Sequence, residues 1–445
     1  MFRFNRVFFI VSNFIIAFFS FVLIFLIRYK FFNFSGVEKR SLDLGTIILF
    51  LFYSFVIVIL NMSFKIYEVN KIAKIKDALL ANLIISVASI GVIGGFFYFT
   101  QTNFARYVFF LGFLIIPVIM SIYNKILYFI IIKSKKPIRM LYFGNYSNFS
   151  LFERLMSEYK KWFPMEIYKV LIDEKDINIL EERLKLCDLV VVDSEERYLK
   201  EQFIVLNNFE VSGGRIYSLI DIFNYFDQSI PAEIVSYQHF DLFSAYKLDS
   251  IYNNLIKRIG DIIISLSLLI LTSPIMIISG ILIKLSSKGN IFYIQKRVGL
   301  KGKEFDMLKF RSMVFNAEKG KALLTKENDA RVTLIGKIMR PFRIDELPQL
   351  INILKGDMSF IGPRPERKEL IDQIVKDVPL FKKRLLVKPG LTGWAQVKFS
   401  YVNRIDQMNK KLSYDLFYIN NLNFLLDFKI LLYTIETIIF RRGAI

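Results

Sequence analysis

The chain has 445 residues, 54% of them hydrophobic and 16% aromatic, with a mean hydropathy of +0.40. It is too long for one ordinary domain and too apolar for a soluble enzyme of this length, so membrane segments are expected. The net charge is +20, with +16 of it in residues 252–445, and a basic domain beside membrane segments points to anionic partners such as lipid headgroups or phosphates. Nothing in the chain resembles a nucleic-acid module, so no nucleic acid is expected as a partner. A single cysteine, Cys187, excludes an intrachain disulfide, and a single histidine, His239, excludes a histidine-rich metal site.

Four apolar runs come first, near 7–27, 44–62, 79–99 and 107–132, each long enough to cross roughly 30 Å of hydrocarbon. Arg3 and Arg6 precede the first run, but it lacks a small-residue cleavage site and reads as a retained span. Loop cations favour the N-terminus and everything after residue 133 in the cytoplasm. That side collects Arg3, Arg6, the lysines at 65, 71, 74 and 76, and Lys133 to Arg139; Arg28, Lys30, Lys39, Arg40 and Arg106 oppose it.

Residues 136–245 alternate between strand and helix patterns. "IRMLYFGN", "EIYKVLID", "DLVVVDS" and "GRIYSLI" read as strands, with helical spacing between them, which implies a parallel, Rossmann-like sheet. The turn after the first strand keeps only Gly144 of the three glycines that a dinucleotide fingerprint needs, so a structural or regulatory domain is expected.

A fifth apolar run, 261–285, has Lys257 and Arg258 before it, Lys284 and Lys288 near its end, and Ser273-Pro274 at its midpoint. Proline removes a helical hydrogen bond and kinks a helix. Basic flanks with a central break suit a re-entrant hairpin that returns to the same face; a kinked fifth span is the competing reading. The tail near 424–440 reads as an amphipathic helix, at the membrane surface or packed on the domain.

Asp345 and Glu346 precede "LPQLINIL", a helical pattern, and acids at a helix start gain from the dipole. Capping alone would explain them, except for their surroundings. Arg340 and Arg343 lie close by in sequence, Arg364 stands between Pro363 and Pro365, and Lys296, Arg297, Lys309 and Arg311 lie upstream. Cations around two carboxylates describe a site for a multiply anionic ligand with a metal. Two carboxylates can hold Mg²⁺ together with substrate phosphates, and a carboxylate can attack phosphorus to form an acyl phosphate.

The block 252–445 resembles the bacterial sugar transferases, the monotopic polyprenyl-phosphate sugar-1-phosphate (phosphoglycosyl) transferases. The collinear matches are "KRIGD" at 257–261, Ser273-Pro274, "YIQKRVG" at 293–299, "KFRSM" at 309–313, "DARVTLIG" at 329–336, "RIDELPQLINILKGDMSFIGPRPE" at 343–366, "KPGLTGWAQV" at 388–397 and "YDLFYI" at 414–419. The resemblance implies a membrane protein, α with α/β. Its parts would be a four-helix transmembrane bundle in 1–135, a degenerate Rossmann-like cytoplasmic domain in 136–245, and a mainly α phosphoglycosyl transferase domain in 252–445 with the re-entrant membrane helix 261–285.

It also implies transfer of sugar-1-phosphate from a UDP-sugar to undecaprenyl phosphate with release of UMP, the priming step of O-antigen, capsule or exopolysaccharide synthesis. Asp345 would be the nucleophile, forming an aspartyl-phosphosugar, and Glu346 would orient it or support Mg²⁺. Arg340 and Arg364 would bind phosphate, with Arg311, Lys309 and Arg297 as further phosphate ligands. Ser273 and Pro274 would break the re-entrant helix. The implied location is the bacterial inner membrane, multi-pass, among its lipids, with the catalytic domain on the cytoplasmic face. The transferred sugar and the oligomeric state, a homodimer included, stay open. Where the family often has Ser or Thr two residues before the Asp, this chain has Arg343. Two other readings compete: a non-catalytic assembly or regulatory protein, and a membrane nucleotide-sugar dehydratase, whose Tyr-x-x-x-Lys spacing occurs at Tyr67 and Lys71.

Overall fold

The computed structural model describes residues 6–31, 42–63, scattered positions between 78 and 89, and then 106–133, 136–160, 164–171, 177–193, 200–235, 248–286, 289–314, 329–399 and 405–439. Most of the third apolar run, the basic loop around 65–77 with its Tyr67–Lys71 spacing, Lys39, Arg40 and His239 lie outside the described residues. By backbone contacts the chain divides into two units, residues 1–138 with 159–165 and residues 139–158 with 166–445.

In the first unit the apolar runs form helices α1 (Arg6–Leu26), α2 (Leu44–Ser63) and α3 (Arg106–Lys133). Each is long and apolar enough to cross a membrane. α1 packs on both others, around Phe21, Phe50 and Tyr53, with the Phe21 and Phe50 rings stacked 5.6 Å apart. Polar side chains pair between helices: Asn13 Nδ2 donates to Asn124 Oδ1 at 2.9 Å, and Asn82 Nδ2 to Ser121 Oγ at 2.8 Å. In an apolar surround such groups need partners, so these bonds select which helix faces meet.

The second unit opens with the expected α/β part: β1 (Ile138–Gly144), α4 (Tyr146–Lys160), β2 (Met165–Leu171), α5 (Ile177–Leu186), β3 (Leu189–Val192), α6 (Lys200–Val211), β4 (Ile216–Ser218) and α7 (Leu219–Phe226). The sheet order is β2-β1-β3-β4, and β1/β3 and β3/β4 are parallel. At the carboxyl ends of β1 and β3, Asp193 Oδ2 accepts from Tyr142 Oη (3.0 Å) and Asn148 Nδ2 (2.8 Å). A Cβ added at Gly144 would sit 2.3 Å from that of Asp193. The turn is therefore closed by side chains where a pyrophosphate-binding turn leaves space.

The basic part follows. α8 (Lys257–Ser286) is a single 30-residue helix. It leads to the hairpin β5 (Phe292–Val298) and β6 (Glu304–Phe310), then α9 (Leu334–Met339), α10 (Gln349–Lys355), β7 (Ser359–Ile361), α11 (Lys368–Asp377), β8 (Gly390–Thr392), α12 (Trp394–Lys398), α13 (Ile405–Asn420) and α14 (Phe424–Ile439).

Ser273-Pro274 lies within α8. The pair does not separate two helices; the helical pattern of α8 runs through it. Proline at 274 leaves the carbonyl of Ile270 without its donor, and Ser273 Oγ supplies one at 2.8 Å. The two basic residues at the start of α8 bond to the rest of the domain. Arg258 donates to the carbonyls of Ile353 (2.6 Å) and Leu354 (2.8 Å), capping the C-terminus of α10. Lys257 is paired with buried Asp427 of α14, which also accepts from Tyr418 (2.8 Å) and Tyr252 (2.6 Å). Asp261 accepts from the Phe360 amide and Ser359 hydroxyl of β7. The tail helix α14 thus packs on the domain.

Candidate active site

The acid pair does not lie in the first turn of an α-helix. Ile344–Glu346 form a 3₁₀ turn, and α10 begins only at Gln349. Pro348 has no N–H to give to Ile344, whose carbonyl accepts instead from Leu347 at 3.2 Å. A second 3₁₀ turn, Arg340–Phe342, precedes it, and Arg343 joins the two in the left-handed region at φ 57°, ψ 22°. No side chain caps this turn. Arg343 Nη1 instead approaches Glu346 Oε2 at 3.6 Å, three residues on.

The two acids differ sharply in their bonding. Glu346 Oε1 accepts from Lys309 Nζ at 2.9 Å and Arg364 Nη2 at 3.0 Å, and its other oxygen faces Arg343. Burial would raise its pKa, but Lys309, Arg364 and Arg343 outweigh burial and hold it well below the usual carboxylate range. Among the described residues Asp345 makes no hydrogen bond or ion pair through its carboxylate, although the residue is only 8% exposed. Burial and the Glu346 charge push its pKa up against Lys309, Arg340 and Arg343. Arg340, half-buried, likewise holds no side-chain partner among the described residues. The arrangement is one fixed, ionised carboxylate, one uncommitted carboxylate, and a guanidinium free for an incoming anion.

The backbone around Arg364 is clamped at every carbonyl. Gly362 N donates to Thr392 O (2.9 Å), and Gly390 N to Pro363 O (3.0 Å). Buried Arg384 donates to Arg364 O (2.8 Å), Arg297 Nη1 to Pro365 O (3.1 Å), and Val298 N to Glu366 O (3.0 Å). Arg384 is itself held by Asp415 at 2.7 Å, and Lys411 holds Glu366 at 2.7 Å. Burial opposes ionisation of Glu366, yet Lys411 and Arg384 bring its pKa down to about 2. The glycines of "KPGLTGW" allow the close packing, since a Cβ at Gly390 or Gly393 would meet Gly362 backbone at 2.0 or 2.1 Å. That motif is scaffold, and Trp394 within it is fully buried core, its Nε1 bonded to Gln228 O.

Of the expected site residues, the structure brings together Asp345, Glu346, Lys309 and Arg364, with Arg340 close enough for its charge to act on Asp345. It does not bring in Arg297 and Arg311. Arg297 donates to the Pro365 carbonyl and the Glu366 carboxylate, while Arg311, 8% exposed, donates to Ile283 O in the last turn of α8. Sequence reasoning misses Arg384 and Asp415, which sit in ordinary helical and 3₁₀ surroundings; the one cue is a charged residue inside an otherwise apolar run, "YDLFYI". A magnesium ion fits here only as a one-carboxylate site. Both Glu346 oxygens are engaged, and no group of three or more His, Cys, Asp or Glu occurs among the described residues. Mg²⁺ commonly takes one carboxylate with substrate phosphates, so Asp345 is its available protein ligand.

Residues 252–441 match the family model described as bacterial sugar transferase. A UDP-N-acetylgalactosamine-undecaprenyl-phosphate N-acetylgalactosaminephosphotransferase of Aeromonas hydrophila is 44% identical over 189 residues, 42% of this chain and 45% of that protein. A UDP-glucose:undecaprenyl-phosphate glucose-1-phosphate transferase of Klebsiella pneumoniae is 39% identical over 185 residues, 41% of this chain and 40% of that protein. The match thus spans less than half the length of these two relatives. The sugar transferase EpsL of Bacillus subtilis is 38% identical over 189 residues, 42% of this chain but 90% of that protein. Matched over nearly all of that relative, and through the segment that builds the site around Asp345, the chain belongs to the bacterial sugar transferases.

Proposed function

We propose that this protein is a phosphoglycosyl transferase that moves sugar-1-phosphate from a UDP-sugar to undecaprenyl phosphate and releases UMP. The relatives' names support the substrate classes. The observation that carries the chemistry is the uncommitted Asp345 carboxylate beside a Glu346 already held by three cations. Arg340 and Arg364 bind the donor diphosphate. An Asp345 oxygen attacks the β-phosphorus, the bond to the bridging oxygen breaks, and UMP leaves with that electron pair. The acyl phosphate is then attacked by an oxygen of the lipid phosphate, which forms the new diphosphate and returns Asp345 as carboxylate. Glu346 keeps Lys309 and Arg364 in place. Mg²⁺ on Asp345 and the donor phosphates would neutralise charge during binding.

Re-entry of α8 from the cytoplasmic face is part of this reading. It is supported by hydrogen bonds that tie both ends of the helix, through Arg258 and Arg311, to one polar domain. Exposed apolar side chains between those ends, among them Ile263, Ile270 and Leu271, suit lipid contact.

The test uses the full-length protein with a panel of UDP-sugars, Mg²⁺ and undecaprenyl phosphate. UMP release is expected with at least one donor. Donor alone should give a single-turnover burst and an adduct on Asp345 detectable by mass spectrometry. Asp345→Asn should lose both; full turnover by that variant would refute the assignment.

A further inference from the structure

A groove of about 470 Å³ runs beside the second half of α8, between that helix and the start of β5. Apolar side chains form it, chiefly Met276, Ile281, Phe292 and Phe310, with Lys284 as the one charged residue in its lining among the described residues and Gly280 in its floor. We infer that this groove holds the prenyl chain of the acceptor lipid and leads it from the bilayer to Asp345. The inference rests on the transferase reading above.

Position is the first argument. Phe310 follows Lys309 on β6, and successive strand residues point to opposite faces. Lys309 reaches Glu346, while Phe310 faces the groove and stacks on Phe292 with ring centroids 5.4 Å apart. Ile344, adjacent to Asp345, packs on the cluster of Ile283, Phe310 and Met339. The apolar cluster that includes Phe310 and Ile344 therefore spans the distance between the groove and the acid pair. A lipid whose phosphate reacts at Asp345 needs an apolar exit for its chain within that distance.

Surroundings are the second. α8 is long and apolar enough to enter a membrane, and its groove-side residues Ile277, Ile281 and Leu285 are exposed, Leu285 by 78%. A chain in the groove would thus be continuous with lipid. Exposed Lys284 offers a cation to an anionic lipid and would be a poor neighbour for an uncharged one. The volume lies within the roughly 300–1,000 Å³ usual for small-molecule sites. Gly280 is the third. A Cβ built there meets nothing nearer than Ile291 at 3.5 Å, so the helix tolerates a side chain at this position. Glycine costs a helix interior stability relative to alanine, and what it preserves here is open space in the groove.

Two experiments on the full chain decide this. In Gly280→Leu the groove is filled. The donor-only UMP burst, which needs no acceptor, should stay at the wild-type level, while KM for undecaprenyl phosphate should rise about tenfold or more. An unchanged acceptor KM would overturn the inference. Should the variant fail to fold, the wild-type protein still answers. A prenyl phosphate carrying a diazirine should label residues 276–292, and undecaprenyl phosphate should compete it away. Labelling elsewhere, or labelling competed only by phosphatidylglycerol vesicles and not by undecaprenyl phosphate, would mean that bulk lipid fills the groove and would equally overturn it. Absence of UMP release from wild type with every donor would instead remove the transferase reading, and the labelling result would stand apart from it.

Discussion

Arg384→Lys separates the clamp on Arg364 from the chemistry it serves. Arg384 makes two bonds with two different nitrogens: Nε to Asp415 at 2.7 Å and Nη2 to Arg364 O at 2.8 Å. Both Arg384 and Asp415 are buried, at 5% and 1% residue exposure. A lysine can keep the ion pair but has a single nitrogen at the end of a flexible stem, so the Arg364 carbonyl loses its donor. A hydrogen bond from a charged donor is worth roughly 1.5–3 kcal/mol, which is the expected loss of stability. The catalytic effect should be of similar size, because a shift of about 1 Å in a positioning group can cost about 100-fold. We expect the donor half-reaction to slow about 100-fold, or about 2.7 kcal/mol in the barrier. The assay is a double-mutant cycle on the UMP burst, with Arg364→Ala as the second change. If Arg384 acts through Arg364, the lysine substitution should have almost no further effect in the Arg364→Ala background. Additive losses would refute the reasoning and give Arg384 a separate role.

Two other predictions concern the acids and the membrane helix. The donor half-reaction should fall at low pH as Asp345 protonates, with its acid limb above the ordinary Asp value of about 3.9. Burial and the Glu346 charge both raise this group, so in Glu346→Gln the limb should move to lower pH; an upward shift in the rate profile would contradict the assigned coupling. In α8, Ser273→Ala should cost roughly 1–3 kcal/mol by stripping the Ile270 carbonyl of its donor. The same change should be nearly neutral beside Pro274→Ala, which restores the backbone N–H; equal losses in both backgrounds, measured by thermal unfolding in detergent, would rule that out.

Much of this architecture is legible from local pattern. The strands at 138–144, 165–171 and 189–192 fall where short β-rich runs meet turn residues, because strand formation there is decided by nearby residues. The acid pair stands out as charge in an apolar helical pattern, and Arg364 by its two flanking prolines. The unequal fates of Asp345 and Glu346 are not legible. They depend on Lys309, 37 positions upstream on a different element, and on Arg343 taking a left-handed conformation that few non-glycine residues adopt. The Arg384–Asp415 pair is hidden for the same reason: its members stand 31 positions apart, and although Asp415 lies in "YDLFYI" nothing local names Arg384 as its partner. In α8 the hydroxyl one residue before the proline is a local cue that only matters once the orphaned carbonyl is counted.

The net charge is the quantity most easily misread. A surplus of +16 in residues 252–445 suggests a surface built for anionic ligands, yet several of its cations serve the protein itself. Arg258 and Arg311 cap the C-termini of α10 and α8, where helix carbonyls have no partners of their own. Arg297 and Arg384 hold the carbonyls beside and within the Arg364 loop, and Lys257 and Lys411 neutralise buried carboxylates. The cations at the acid pair are Lys309, Arg340, Arg343 and Arg364, and Glu346 engages all but Arg340. Donor recognition therefore depends less on total charge than on which cations Glu346 leaves able to reach a phosphate. Arg340 holds no side-chain partner among the described residues, and Arg364 bonds Glu346 through Nη2 while its own carbonyl is held by Arg384. Of the two, Arg364 is set before any ligand arrives, and a preorganised guanidinium selects by geometry.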